Sequence, residues 1–156
     1  MSDSEVKINV LYIDDEVNNL AAFKANFRRI YRVFTTDSVA EAKKILDENE
    51  IHIIISDQRM PDMTGIDFFA SILELHPEPI RMLLTGYADI NAVIDAINKG
   101  QVYKYFSKPW DENDLKENIE KAYELYHLRK ENTELTDKLM DVNHKLEFLL
   151  RQKLLS

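Results

Sequence analysis

The chain has 156 residues, 45% of them hydrophobic and 31% charged, which predicts a globular domain with an appendage and excludes a disordered chain. Its net charge of −8 gives no basic surface for nucleic acid or an anionic membrane, and without cysteine it has no disulfide or thiolate metal site. No apolar run approaches a membrane span and the acidic N-terminus is unlike a signal peptide, so we expect a cytoplasmic protein.

Short apolar runs alternate with helical patterns along the chain. The runs are rich in β-branched residues and predict strands at about 7–13, 31–36, 51–57, 80–85 and 102–107. End signals for the helices between them are Ser38 with Glu41 for a helix at about 39–49, Thr64 with Asp67 for one ending near His76, and Asp89 with Gly100 for a third. We therefore predict an α/β fold with a flavodoxin-like five-stranded parallel sheet of order 2-1-3-4-5 and helices on both faces.

The last predicted helix starts after Asp111 and meets no glycine or proline before Ser156. Its second half has apolar residues at alternating spacings of four and three, the a/d pattern of a coiled coil. A helix of about 40 residues spans roughly 60 Å, so this half is expected to leave the globule. A solvated single helix or a frayed tail is the alternative. The predicted seam consists of Leu128, Asn132, Leu135, Leu139, Val142, Leu146 and Leu149.

Carboxylates follow two of the predicted strands. Asp57 ends the isoleucine-rich run 51–57, which indicates a strand buried on both faces, and Asp14 and Asp15 follow the first strand. Ligands bind at the carboxyl ends of strands in open α/β sheets, so three acids converge on one spot if these strands are neighbours. Such acids repel one another and need a cation or a chemical purpose.

Two further polar residues end up at the same edge: Thr85 after the fourth predicted strand and Lys108 after the fifth. An aspartate here could attack a phosphoryl donor to form an acyl phosphate, a transfer that depends on positioning and charge neutralisation. Carboxylate ligands suit Mg²⁺, which keeps several waters. Lys108 would supply positive charge to a phosphoryl oxygen and Thr85 a hydroxyl donor. The pattern is the one that an aspartyl-phosphate site requires.

These residues resemble the receiver domain of bacterial two-component response regulators. The resemblance covers about residues 5–127 and rests on Asp14-Asp15, Asp57 with Met60-Pro61 and Gly65, Thr85-Gly86, and Tyr105 with Lys108-Pro109. It implies that Asp57 is the phosphoacceptor and takes its phosphoryl group from a sensor histidine kinase or phosphotransfer protein. It also implies a regulator that promotes only its own phosphorylation and dephosphorylation, and that signals through the face of its fourth helix, fifth strand and fifth helix.

The resemblance further implies a role for each site residue. Asp15 would ligate Mg²⁺ directly and Asp14 mainly through water, together with Asp57 and the backbone carbonyl of Arg59. The switch pair would be Thr85 and Tyr105, and the Lys108–Pro109 peptide bond would be cis, which an X–Pro pair adopts at modest cost.

Arg59 and Tyr87 lie two residues after Asp57 and Thr85, where they can flank a phosphoryl group. Their bulk and positive charge could restrict the hydrolytic water, so we predict slow autodephosphorylation. The surrounding motifs also look like those of a receiver subgroup that often precedes signalling output domains.

Residues 128–156 are expected to form a coiled-coil extension or linker that makes a parallel homodimer through 128–153. Asn132 falls at an a position, where a buried polar residue fixes register at some cost in stability. The seam stops mid-pattern at Lys153–Ser156, which favours a piece of a longer protein whose output domain lies elsewhere.

Three other functions fit parts of the pattern. A haloacid-dehalogenase-type phosphatase or phosphotransferase also uses an aspartate nucleophile, but it needs Asp-x-Asp after the first strand, where this chain has adjacent acids. A flavodoxin-type cofactor protein needs a phosphate loop rich in Ser, Thr and Gly. A non-phosphorylated pseudo-receiver that acts as a binding module is disfavoured by the intact acid set.

Overall fold

The computed structural model describes residues 7–86 and 90–155, and along them five strands alternate with five helices. In chain order the elements are β1 (Asn9–Ile13), α1 (Val17–Phe27), β2 (Arg32–Thr36), α2 (Val39–Glu48), β3 (Ile53–Asp57), α3 (Gly65–Ile72), β4 (Ile80–Thr85), α4 (Ile90–Asn98), β5 (Lys104–Ser107) and α5 (Glu112–Leu155).

The strands form one parallel sheet in the order β2-β1-β3-β4-β5, which confirms the predicted flavodoxin-like topology. Every residue of β3 and β4 is buried, as expected for central strands covered on both faces. β1, β3 and β5 each begin two residues later than predicted. Ile8, Ile51 and Val102 are buried before those strands begin, because apolar packing extends beyond the hydrogen-bonded ladder.

Two apolar clusters cover the two faces of the sheet. One joins Tyr12 and neighbouring strand residues to α1 and the first part of α5, with Phe23 and Ile119 at its centre. The other packs α2, α3 and α4 against the opposite face, with Phe68 fully buried. Successive strand residues point to opposite faces, so each central strand contributes to both clusters.

The helix ends follow the predicted capping residues with two differences. The Ser38 side chain accepts from the Glu41 N–H at 3.3 Å, but the Glu41 carboxylate accepts from the Thr36 hydroxyl at 2.9 Å instead of closing a capping box. The predicted end of α3 near His76 is wrong. The helix ends at Ile72, because the N–H of the next residue, Leu73, donates to the Ala70 carbonyl three residues back at 3.4 Å and a turn follows. Asp89 lies outside the described residues, and Gly100 has a φ of 74° after α4.

The helix α5 is 44 residues long, about 66 Å at the usual rise. Its first half packs on the domain through Leu115, Ile119 and Tyr126, whereas every described residue after Tyr126 is exposed. The apolar seam residues from Leu128 to Leu149 are between 50% and 64% exposed, so the second half leaves the globule as predicted. Within the described ranges, no helix combines the length and apolar character needed to cross a membrane.

The loop before β3 holds α5 at the point where it leaves the domain. The buried His52 ring accepts from the Asn9 N–H at 2.9 Å, and its centroid lies 4.9 Å from those of Tyr123 and Tyr126. The Tyr126 hydroxyl also donates to the Glu50 carboxylate at 3.2 Å. These contacts fix the direction in which the exposed half of the helix begins.

Candidate functional site

The carboxyl ends of β1 and β3 bring the predicted acids together. Asp14, Asp15 and Asp57 each offer an oxygen within 4.8 Å of the others. Asp14 is fully buried and Asp57 is 5% exposed, while Asp15 is exposed. The predicted convergence follows from the side-by-side pairing of these two strands.

Asp14 is held by four donors. The Lys108 Nζ donates to its Oδ2 at 2.8 Å, and the Tyr12 hydroxyl donates to the same oxygen. The Glu16 N–H donates to Oδ1 at 2.9 Å, and the Asn19 side-chain amide donates to Oδ2 at 3.2 Å. Burial opposes the charged form, but the hydrogen bonds from Lys108 and Tyr12 outweigh it and lower the pKa of Asp14.

The charge of Asp57 has fewer hydrogen-bond donors near it than the charge of Asp14. Its Oδ1 lies 3.2 Å from the Lys108 Nζ and accepts from the Arg59 N–H at 3.4 Å. Burial, reinforced by the neighbouring Asp14 charge, raises the pKa of Asp57 to about 6. The site therefore has uncompensated negative charge at Asp57, which an added cation would offset.

Lys108 bridges the two buried acids. Its backbone N–H donates to the Thr85 carbonyl at 3.0 Å, which places the side chain beside both strand ends, and the Lys108–Pro109 peptide bond is cis. Burial alone would lower the pKa of Lys108, but the Asp14 and Asp57 carboxylates raise it. The ammonium group thus stays charged at the centre of the site.

The other site residues lie around this centre without joining it. The Thr85 hydroxyl is buried and donates to the Gly86 carbonyl at 2.8 Å rather than to Asp57. Tyr105 is half-buried and packs against the face covered by α2, α3 and α4. Arg59 is exposed beside Asp57, and Tyr87 lies outside the described residues.

Sequence reasoning missed the contacts that Tyr12 and Asn19 make with Asp14. Tyr12 sits in an apolar strand and has the pattern of a core residue. Buried tyrosine hydroxyls usually need a partner, however, and the nearest acid in the sequence is Asp14. That requirement was the one available signal.

Gly65 allows the backbone of α3 to approach the end of β3. A Cβ at this position would lie 2.6 Å from the Asp57 carbonyl oxygen and 2.7 Å from the Leu83 side chain. Alanine normally favours a helix by about 1 kcal/mol over glycine. Here the clash with a backbone carbonyl has to shift α3 or Asp57 itself.

Gly65→Ala is accordingly expected to lower the free energy of unfolding by about 2 kcal/mol, the usual range for overpacking, as measured by urea denaturation. Gly86→Ala is the matched control, because a Cβ there meets nothing within 4 Å. Equal effects of the two substitutions would contradict this explanation.

Comparison with known proteins assigns the chain to a family. Residues 10–120 match the family model of the response regulator receiver domain. The chain belongs to this receiver domain family. It is 35% identical over 122 residues to the hydrogenase transcriptional regulatory protein HoxA of Bradyrhizobium diazoefficiens, an alignment that covers 78% of this chain and 25% of HoxA. This receiver domain chain thus spans about a quarter of the length of the curated relatives it matches.

Solved receiver domains have the same fold. The signal receiver domain of an HD domain-containing protein from Pseudomonas fluorescens is 28% identical, with a TM-score of 0.75 over 84% of this chain and 97% of that chain. The beryllofluoride-activated receiver domain dimer of NtrC4 is 29% identical, with a TM-score of 0.69 over 76% of this chain and 98% of that chain. Receiver domains belong to two-component phosphorylation signalling, and that is the class of this protein.

Proposed function

We propose that Asp57 accepts a phosphoryl group, in a Mg²⁺-dependent reaction, from the phosphohistidine of a sensor histidine kinase or a phosphotransfer protein. The observation that carries this proposal is the single charged lysine, Lys108, that bridges Asp57 and Asp14 at the open edge of the sheet. A nucleophilic carboxylate, a second acid and a cation, brought together at the carboxyl ends of three strands, are the parts that acyl-phosphate formation needs.

In the proposed step an Asp57 carboxylate oxygen attacks phosphorus and the phosphorus–nitrogen bond to the imidazole breaks. The bonding electrons stay on the imidazole nitrogen, which is the leaving group. Lys108 contacts Asp57 and can follow an incoming phosphoryl oxygen with little movement. Thr85 would give up its bond to the Gly86 carbonyl and donate to the phosphoryl group, and Tyr105 would turn inward as its switch partner.

The donor set fits a hard divalent cation. Three carboxylates converge within 4.8 Å, and burial together with the Asp14 charge raises the pKa of Asp57 to about 6 despite the nearby Lys108. Asp14, Asp15, Asp57 and the backbone carbonyl of Arg59 would hold Mg²⁺. When bound, the ion would relieve the repulsion between the acids and neutralise charge on the transferring oxygens.

Incubation of the full chain with acetyl phosphate and Mg²⁺ tests the proposal. Intact mass spectrometry is expected to show one added phosphoryl group, and peptide mapping should place it in the peptide that contains Asp57. The same incubation with EDTA is the control and should give no adduct. An adduct on another residue, or one that forms equally with EDTA, would refute the proposed chemistry.

Arg59 and Tyr87 are proposed to slow hydrolysis of the acyl phosphate. Arg59→Ala is expected to shorten the lifetime of the phosphorylated protein by about threefold to tenfold, since a barrier change near 1 kcal/mol has that effect. The decay of the phosphorylated mass after removal of the donor measures it, and Arg28→Ala on the end of α1 is the control. Wild-type decay as fast as that of a chemotaxis-type receiver under the same conditions would contradict the proposal.

We propose further that residues 5–127 form the receiver domain and that residues 128–156 form a parallel dimeric coiled coil. The support is the exposed seam of α5. Asn132 favours the parallel, in-register arrangement, because it would then face Asn132 of the second copy, whereas an antiparallel pair would oppose it to an apolar d residue. Phosphorylation would change how the α4-β5-α5 face packs, and the coil would carry that change to a cytoplasmic output domain.

A further inference from the structure

A cavity lies at the amino ends of β4 and β5, on the side of the domain opposite the strand end that carries Asp57. It has a volume of about 560 Å³, which falls within the range of small-molecule sites. Its walls come from α3, from the segment before β4, from the α4–β5 connection and from α5. Most of the lining is apolar, with Phe69, Leu73, Ile97 and Val102 among the wall residues.

The charged residues that line this cavity are all cations. Arg81, Lys99 and Arg129 contribute to it, and no acid does among the described residues, although the protein has 28 acidic and 20 basic residues. The Lys99 ammonium pairs on the surface with Asp95 at 2.9 Å. Arg129 is exposed, just beyond the point where α5 leaves the domain.

Arg81 is the least expected of the three, because it is buried in the central strand β4. Its guanidinium donates to the carbonyls of Pro79, at 2.7 Å, and His76, which ties down the α3–β4 loop. Within the described chain its Nε has no hydrogen-bond partner. Burial lowers the pKa of Arg81, and the positive charge of nearby Arg129 lowers it further. The negative charge of Glu78 acts in the opposite direction but does not outweigh burial. Two neighbouring arginines thus line an apolar cavity to which no described residue contributes a carboxylate.

The geometry points to this cavity as a binding site for a small amphipathic carboxylate, whose apolar body would fill the space while its anionic group meets Arg81, Arg129 and Lys99. Arginine pairs well with carboxylates, and such charge-assisted bonds strengthen where water is excluded. The occupant would bridge β4 and α5, and would therefore stabilise the junction between the domain and its helical extension.

The probes are 4-phenylbutyrate and its neutral amide, titrated into the full chain and followed by methyl NMR. The carboxylate is expected to shift the Ile97 and Val102 methyl signals saturably, and to bind at least about tenfold more tightly than the amide. The double variant Lys99→Gln/Arg129→Gln should weaken binding of the carboxylate about tenfold. Both side chains are exposed, so the substitutions should not disturb folding. Arg151→Gln on the distal helix is the matched control and should not weaken binding.

Three results would overturn the site. The first is equal binding of acid and amide, and the second is shifts confined to methyl groups of the exposed seam. The third is inorganic phosphate binding as tightly as phenylbutyrate, which would indicate a plain anion site without the apolar part. The measurement needs neither Mg²⁺ nor a phosphoryl donor, so its outcome is independent of the chemistry proposed for Asp57.

Discussion

The Asp57→Asn protein is expected to gain no phosphoryl mass from acetyl phosphate and, without metal at pH 7, to be more stable than the wild type. The first effect follows because an amide cannot replace the attacking carboxylate. The second follows because burial and Asp14 raise the pKa of Asp57 to about 6, so the folded state disfavours its charge. A shift of that size corresponds to about 3 kcal/mol in the free energy of unfolding, as measured by urea denaturation.

The pH dependence of this gain has a definite sign. A carboxyl whose pKa is about 6 when folded and about 4 when unfolded binds more protons in the folded state between those values. Wild-type stability therefore falls as the pH rises through that window. The difference between Asp57→Asn and the wild type should be near zero at pH 4 and complete above about pH 6.

Metal provides the control for the same pair of proteins. Millimolar Mg²⁺ should reduce the stability difference between the two proteins at pH 7. A cation that binds the folded site stabilises the wild type, which has all three carboxylates, more than it stabilises Asp57→Asn. A stability difference that does not change with pH, or an Asp57→Asn protein less stable than the wild type, would show that the buried charge of Asp57 is not the cause.

The second large effect concerns the seam of α5. Leu139→Lys combined with Leu146→Lys places an unpaired ammonium at two a positions of each chain, and burying such charges is strongly unfavourable. We expect the dimer dissociation constant to rise by a factor of about a thousand or more. Sedimentation velocity at micromolar concentration should then give the monomer mass of 18.3 kDa instead of twice that value.

Met140→Lys with Glu147→Lys is the matched control for this experiment. These residues follow the two seam leucines directly and add the same lysines to the same turns, but at b positions outside the interface. The control should stay dimeric. A wild-type protein that is monomeric at micromolar concentration, with and without a phosphoryl donor, would contradict the dimer itself.

The sequence predicted the elements that depend on local periodicity and strand order. Asp14 and Asp57 meet because β1 and β3 pair in parallel, and both strands can be recognised in the sequence as apolar runs. The shorter α3, the Thr36–Glu41 bond and the Tyr12–Asp14 bond are all local in sequence but were not predicted, because apolar periodicity specifies neither side-chain rotamers nor the residue at which a helix gives way to a turn. Arg81 shows the same limit, because a cation inside an apolar strand gives no sign in the sequence of which carbonyls it will meet.

The contacts among Glu50, His52 and Tyr126 hold α5 at the point where it leaves the domain. A tilt of the helix at this point is therefore amplified along its exposed half. Residues 127–155 extend it by about 43 Å beyond its pivot. A tilt of the helix by about 10° at Tyr126 would move the far end by roughly 7 Å over that length. In a paired coil neither helix can tilt alone, so a small reorientation of two domains would become a common rotation about the coil axis. The far end of the proposed coil would then change its angle without any direct contact with Asp57.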